Sequence, residues 1–240
     1  MSQLDLSHPL DTTSSRPGTR EALLDAAESL FAAHGYAAVG VREIVERAGA
    51  NIAAVNYHFG SKGDLYLETV RRAMQRRNSN AVWDALRADA GDPNAAAAVL
   101  VQFIRGFLAH VTDSAQPASA CSLLIHEAAE PSEAVDAVVR DFIRPHQQAM
   151  LGVIAAVSPA LEQGERLLHA ESIMGQLLHY RVFRPFIERL GVCDLDRPGE
   201  VSRIADHIAR VALRALLCDE AMIDRAVGTP RTASQERESA

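Results

Sequence analysis

The sequence predicts an all-α fold. Apolar side chains recur at three- and four-residue spacing through most of its 240 residues. Ala is abundant, aromatics make up only 5%, and the strand-favouring alternation of Val, Ile, Thr and Tyr is rare. With 48% apolar residues the chain can bury a sizeable core, as one large domain or two small ones.

Residues 1–18 are polar, carry Pro9, Pro17 and Gly18, and read as a loose arm. A helix starts near Thr19. Leu23, Ala27, Leu30 and Phe31 form its apolar stripe, and His34-Gly35 ends it. A short second helix turns Val41, Ile44, Val45 and Ala48 inward and stops at Gly49. Asn51 is a fitting N-cap for a third short helix to about His58. After Phe59-Gly60, Ser61 with Asp64 three positions on caps a fourth helix. That helix passes Leu65, Val70 and Met74, reaches Trp83 and continues to about residue 88.

Gly91-Asp92-Pro93 is the clearest punctuation in the first half. Helices over about 94–111 and 118–130 follow, with a loop at 112–117 between them. Pro131-Ser132 starts another helix, to about Val157, which Pro145 should kink or split. Beyond Ser158-Pro159 a helix covers about 164–190, bent near its end by Pro185. Residues 191–199 read as a loop. The last helix runs from about Glu200 to Cys218, with a possible extension to Ala226, and 227–240 form a polar tail expected to be disordered.

Composition excludes several function classes. A net charge of −7 and a pI of about 5.7 argue against a surface that coats nucleic acid everywhere, but leave room for a local DNA-reading patch. Residues 1–80 hold nine basic and nine acidic side chains, and the acidic excess lies entirely beyond them. Cys121, Cys193 and Cys218 are widely spaced, which fits a reducing compartment and speaks against disulfides or a thiolate zinc site. No signal-peptide core and no uninterrupted apolar run of membrane-spanning length is present, so the expectation is a cytoplasmic chain with no membrane partner. HEAAE at 126–130 lacks the second His of H-E-x-x-H. There is no glycine-rich phosphate loop, and neither Ser122 nor Ser172 sits in a nucleophile elbow. The reading is of a non-enzyme without metal or cofactor.

Residues 41–58 make two short helices joined at Gly49-Ala50, the helix-turn-helix arrangement. In such a unit the first helix crosses the DNA backbone and the second offers its exposed face to the major groove. Ile44, Val45 and Val55 would fix the angle between them. Asn51, Ala54, Asn56, Tyr57 and His58 would face outward or toward phosphate. Phe59 reads as a core aromatic. The basic run Arg71, Arg72, Arg76 and Arg77 reads first as a solvated face.

Residues 20–66 resemble the DNA-binding domain of the TetR family of bacterial repressors. The resemblance is carried by LFAAHGY (30–36), VREIVERAGA (41–50) and VNYHFGSKGDLY (55–66), in that order and phase. Together with EAAEPSEAVDAVVRDFIRP (127–145), VNYHFGSK also resembles the CecR branch. The resemblance implies an N-terminal helix-turn-helix three-helix domain (19–66, its fourth helix continuing to about 88). A larger helical ligand-binding and dimerisation domain (89–226) would follow. Asn51 stands where the family caps its recognition helix and touches phosphate. Ala53 and Ala54 stand at the groove-facing start. Tyr57 and His58 match the family's Tyr-His pair, Lys62 matches a phosphate-binding lysine, and Arg42 is placed to reach the backbone. Asn56 departs from the usual Tyr or Trp, and an Asn can pair bidentately with adenine.

For the second half the resemblance implies a small-molecule effector and a homodimer, bound to a palindromic double-stranded DNA operator in the bacterial cytoplasm and nucleoid. Candidate ligand contacts are Phe103, Phe107, His110, Ile125, His126, Phe142, His146, Met150, Met174, Leu178 and Arg181. At each of these, plain core is the alternative. Arg181 and Arg184 could serve an anionic effector or pair with local acids. Ile173, Leu177, Tyr180, Arg184, Ile204, Ile208, Val211 and Ala215 are candidates for a four-helix dimer interface, with burial inside one chain as the alternative. The expected function is a repressor released from its operator by the effector. The alternative is a DNA-binding factor of the same fold under the control of a protein partner.

Overall fold

A computed structural model describes residues 18–78, 81–87, 91–113 and 119–228, which are helix and loop with no strand among them. The first four helices are α1 (Thr19–Ala38), α2 (Val41–Ala48), α3 (Ile52–His58) and α4 (Lys62–Asn78). α1 is broken at Gly35, whose φ of 77° and ψ of 171° lie in a region essentially open to glycine alone. α2 ends at Gly49 in the left-handed conformation (φ 64°), and the Ala50 N–H returns to the Val45 carbonyl at 2.8 Å. Asn51 Oδ1 then accepts the Ala54 N–H at 2.9 Å and starts α3. These two devices set the tight helix-turn-helix corner, and Ile44, Val45 and Val55 are buried inside it.

The remaining helices are α5 (Ala81–Arg87), α6 (Pro93–Thr112), α7 (Ser119–Ala129), α8 (Val135–Val138), α9 (Arg144–Val157), α10 (Gln163–Val182), α11 (Arg184–Arg189), α12 (Glu200–Ala215) and α13 (Glu220–Val227). α6 is the hub of the C-terminal core and packs against α5, α9, α10, α12 and α13. Asp92 caps it, accepting the Asn94 and Ala95 N–H groups at 2.8 and 3.0 Å. By length and composition α6 is apolar enough to cross a membrane, although the sequence showed no uninterrupted run. Gln102 and Arg105 interrupt the run without removing its apolar average, and Leu100, Phe103, Ile104, Phe107 and Leu108 are buried in the core.

Several expected elements divide further. The fourth helix is described as two, α4 and α5, with residues 79, 80 and 88 outside the described set. Before Pro145 the chain widens into a five-residue π turn, Val139–Ile143, which joins α8 to α9. A proline lacks the N–H that would continue the ladder and crowds the carbonyl four residues back, so the turn loosens there. The expected helix to 190 ends at Val182. Pro185 instead occupies the first turn of α11, where a missing N–H costs nothing. The last helix also divides. Leu217 is left-handed (φ 63°), and Asp219 caps α13 by accepting the Met222 N–H at 2.7 Å. Val227 closes α13 and is buried, so it is not part of the tail. The arm at 1–17, the loop centre at 114–118 and the tail at 229–240 lie outside the described residues.

Two apolar cores result. One is built on α1–α4 and includes Leu23, Phe31, Ile44 and Tyr66, but it also takes in Ala120, Leu123, Ala134, Val138 and Phe142 from α7, α8 and their surroundings. The other surrounds α6. The N-terminal core is therefore completed by side chains far along the sequence.

Candidate functional site

α3 turns Val55 inward and leaves Ala53, Asn56 and Tyr57 exposed, with Ala54 and His58 half-buried at the edge. Tyr57 is 85% exposed, an unusual position for a large aromatic with no partner to cover it. Its ring meets His58 edge-on, with centroids 4.9 Å apart. Asn51 is exposed and already committed to the cap, and Arg42 is exposed at the start of α2. Lys62 opens α4 with its Nζ donating to the Tyr36 carbonyl at 2.7 Å and lying 4.1 Å from the Tyr36 ring centroid. Burial holds its pKa below the usual lysine value. Phe59 is half-buried, with the Arg20 guanidinium 5.2 Å over its ring.

In the late basic run of α4, Arg71 and Arg72 are used internally. Arg72 pairs with Asp25, Glu28 and Glu21 of α1, and Arg71 pairs with Asp141 at 3.1 Å. The side chains of Arg76 and Arg77 lie outside the described set.

A polar seam joins α1 and α4 to α7 and the turn that follows it. The Tyr66 hydroxyl donates to Glu127 Oε2 at 2.8 Å, and Glu127 Oε1 accepts the Ser132 N–H at 2.9 Å. Glu127 is only 4% exposed, yet both its oxygens are served. Burial, then the Glu127 hydrogen bond, pushes the Tyr66 pKa well above the ordinary tyrosine value. Nearby, the Tyr36 hydroxyl donates to Glu133 at 2.7 Å; burial and that bond push its pKa up to about 12.

A cavity of about 310 Å³ is lined from α4, α5, α6, α7, α9, α10 and the π turn. Seven of the candidate ligand contacts line it: Phe107, Ile125, Phe142, His146, Met150, Met174 and Leu178. Four do not. Phe103 sits behind the wall against Trp83 and Phe107. His110 is outside the lining. His126 turns the other way, so that a Cβ on Gly35 would stand 3.2 Å from its Nδ1. Arg181 donates to Ser122 Oγ at 3.3 Å. On a helix, neighbours one residue apart face different sides, which is why Ile125 reaches the cavity and His126 does not. The sequence pattern does not single out the other lining residues, Met74, Trp83, Cys121, Leu124, Ala128, Ile143, Gln147, Ala170 and Glu171. Met74 and Trp83 lie on the stretch that reads as the fourth helix of the DNA-binding half. The polar Gln147 and Glu171 gave no apolar signal.

The dimer candidates also separate. Ile173, Leu177, Ile204 and Ile208 are buried in the chain's own core, so they are unavailable to a second copy. The stripe on α10 is covered by α6 and α9, and that on α12 by α6, α10 and α13. Tyr180 is half-buried. Arg184 is tied to Thr112 O, Glu188 and Asp196 at 2.7–2.8 Å. Val211 and Ala215 remain exposed, as do the larger side chains Phe183, Phe186, Leu190 and Val192 around α11.

Comparison with known proteins matches both halves. Residues 23–69 match the family described as "Bacterial regulatory proteins, tetR family". Residues 96–216 match "HTH-type transcriptional dual regulator CecR, C-terminal domain". The chain is 36% identical over 87 residues to the transcriptional regulator BetI of Agrobacterium fabrum, a match spanning 36% of this chain but only 42% of that protein. It is 26% identical over 170 residues to CecR of Shigella flexneri, covering 68% and 75% of the two chains. Two solved structures share the fold. AibR, in complex with isovaleryl coenzyme A and operator DNA, has a TM-score of 0.60 at 16% identity and covers 80% of this chain and 97% of its own. A TetR-like regulator from Rhodococcus sp. RHA1 has a TM-score of 0.57 at 19% identity, covering 85% and 99%. These families and relatives are transcriptional regulators, not enzymes. The chain belongs to the TetR family of bacterial transcriptional regulators, with a C-terminal domain of the CecR type.

Proposed function

We propose that the protein is a homodimeric repressor of the bacterial cytoplasm that binds a palindromic operator and leaves it when a small molecule fills the C-terminal cavity. The observation that carries this reading is a shared wall. Met74 and Phe142 belong to the core that holds the helix-turn-helix, and both line the cavity. A ligand there touches the packing that positions α3. Close-packed side chains have few intermediate arrangements, so a shift at the wall moves the helices it supports.

Asn51, Ala53, Ala54, Asn56, Tyr57 and His58 form the DNA face in this reading, with Arg42 and Lys62 beside it as phosphate contacts. Asn56 reads a base and Tyr57 packs on the backbone. The exposed apolar side chains around α11, and separately Val211 and Ala215 on α12, support docking of a second copy. Two recognition helices held roughly 34–36 Å apart would enter successive major grooves. Release requires the ligand to prefer the mis-spaced arrangement, commonly by about 1–3 kcal/mol.

The test is selection of bound fragments from random and genomic DNA at two salt concentrations, with Tyr57→Ala as the control. A palindrome enriched with the parent protein and lost in the variant is the expected result. No enrichment by folded, dimeric and ligand-free protein would overturn it.

A further inference from the structure

The cavity is chemically lopsided. Its closed end is formed by Trp83, Phe107, Cys121 and Met150, all buried. Its rim carries Gln147 and Glu171, half-buried and exposed respectively. Glu171 is the sole carboxylate among the described lining residues, and no Lys or Arg stands with it. Gln147 Nε2 donates to Glu171 Oε1 at 3.0 Å, which orients the carboxylate at the rim. The arginines that could have served an anion are engaged elsewhere: Arg181 with Ser122, Arg184 with Thr112, Glu188 and Asp196.

We infer that the effector is a compact amphiphile with a positive charge at one end, its apolar body in the closed end and its cationic head at Glu171. This rests on the reading of the cavity as the effector site. An anionic head at that rim would face a carboxylate with no Lys or Arg among the described lining residues, and the one imidazole there, His146, turns its Nδ1 to the Phe142 carbonyl and its ring against Trp83. A cation is attracted at the rim and keeps part of its hydration there. The Met and aromatic side chains inside accept apolar bodies of varied shape. About 310 Å³ lies near the lower end of the ~300–1,000 Å³ usual for ligand pockets, so the body is a single short chain or ring system.

Trp83 is the chain's one tryptophan and lines the cavity, so its emission reports occupancy directly. The full chain is titrated with octyltrimethylammonium, octanol and octanoate below their micelle concentrations, following Trp83 emission and, in parallel, calorimetric heat. The cation is expected to bind about fivefold more tightly than the alcohol, and octanoate more weakly than either. Glu171→Gln should bring the cation to the level of the alcohol and leave the alcohol unchanged. Octanoate binding as tightly as the cation, or a cation preference that survives Glu171→Gln, overturns the charge assignment and leaves the cavity as an effector site. No response to any of the three, in protein folded by circular dichroism, overturns the charge assignment and the cavity reading together.

Discussion

The Tyr66 hydroxyl, on a helix of the DNA-binding half, donates at 2.8 Å to Glu127, a carboxylate buried on the helix that walls the cavity. α7 carries both surfaces. Leu124, Ile125 and Ala128 line the cavity, while Leu123 and Glu127 engage the N-terminal half. The seam is polar, and its hydrogen bonds have directional requirements that an apolar seam would lack.

Tyr66→Phe should lower the unfolding free energy by about 1–2 kcal/mol, because Glu127 keeps its Ser132 donors. Glu127→Ala should cost more, about 2–4 kcal/mol, since the Tyr66 hydroxyl and the Ser132 N–H both lose an acceptor in a buried place. Urea unfolding of the two variants checks the order. Equal effects would argue that Tyr66 is the only partner that matters.

Gly35 of α1 meets His126, the residue before Glu127 on α7. Gly35→Ala should destabilise by about 1–3 kcal/mol, because its backbone conformation is strained for any side chain and the new methyl crowds the His126 ring. His126→Ala in the same chain should recover only the crowding part. Full recovery in a thermal-melt double-mutant cycle would mean the backbone contributes nothing.

On the DNA face, Tyr57→Ala should leave stability within about 0.5 kcal/mol, as expected for an exposed side chain. The same change should weaken operator binding measured by fluorescence anisotropy. Asn56→Ala should cost about 1–3 kcal/mol on the best operator and relax preference at one base position. A uniform loss across all sequences would move Asn56 from base reading to backbone contact.

Tyr36 makes stability fall in alkali. Its folded pKa is raised from 10.0 to about 12 by burial and the Glu133 bond. Between those values the unfolded chain has released a proton that the folded chain still holds. The contribution is thus complete below about pH 10 and is lost as pH rises toward about 12. Tyr36→Phe should show a smaller drop in melting temperature than the parent between about pH 9 and 11. Parallel curves would exclude Tyr36 as the source.

Phe186 is 63% exposed and Leu190 is 76% exposed on and just after α11. Phe186→Glu should shift the protein toward monomer in sedimentation equilibrium without lowering its melting temperature as a monomer. An unchanged dimer would place the twofold surface elsewhere, with Val211 and Ala215 the next positions to alter.

Features that span a few residues are legible in the chain before it folds. The glycine at 49, the Asn51 cap and the inward spacing of Ile44, Val45 and Val55 specify the helix-turn-helix corner, because turn conformation and capping act over four or five residues. Family motifs place the exposed face of α3 the same way. Tertiary structure alone decided what depends on which helix covers which. A stripe such as Ile173–Leu177 or Ile204–Ile208 states that a face must be covered, but not by what; α6 and α9 cover the first, and α6, α10 and α13 the second, within one chain. The same holds for Ile125 and His126, adjacent in sequence and turned to opposite neighbours. Glu171 and Gln147 gain their meaning only where α9 meets α10 at the cavity rim. Burial is a property of pairs of surfaces distant in sequence, and periodicity records only one member of each pair.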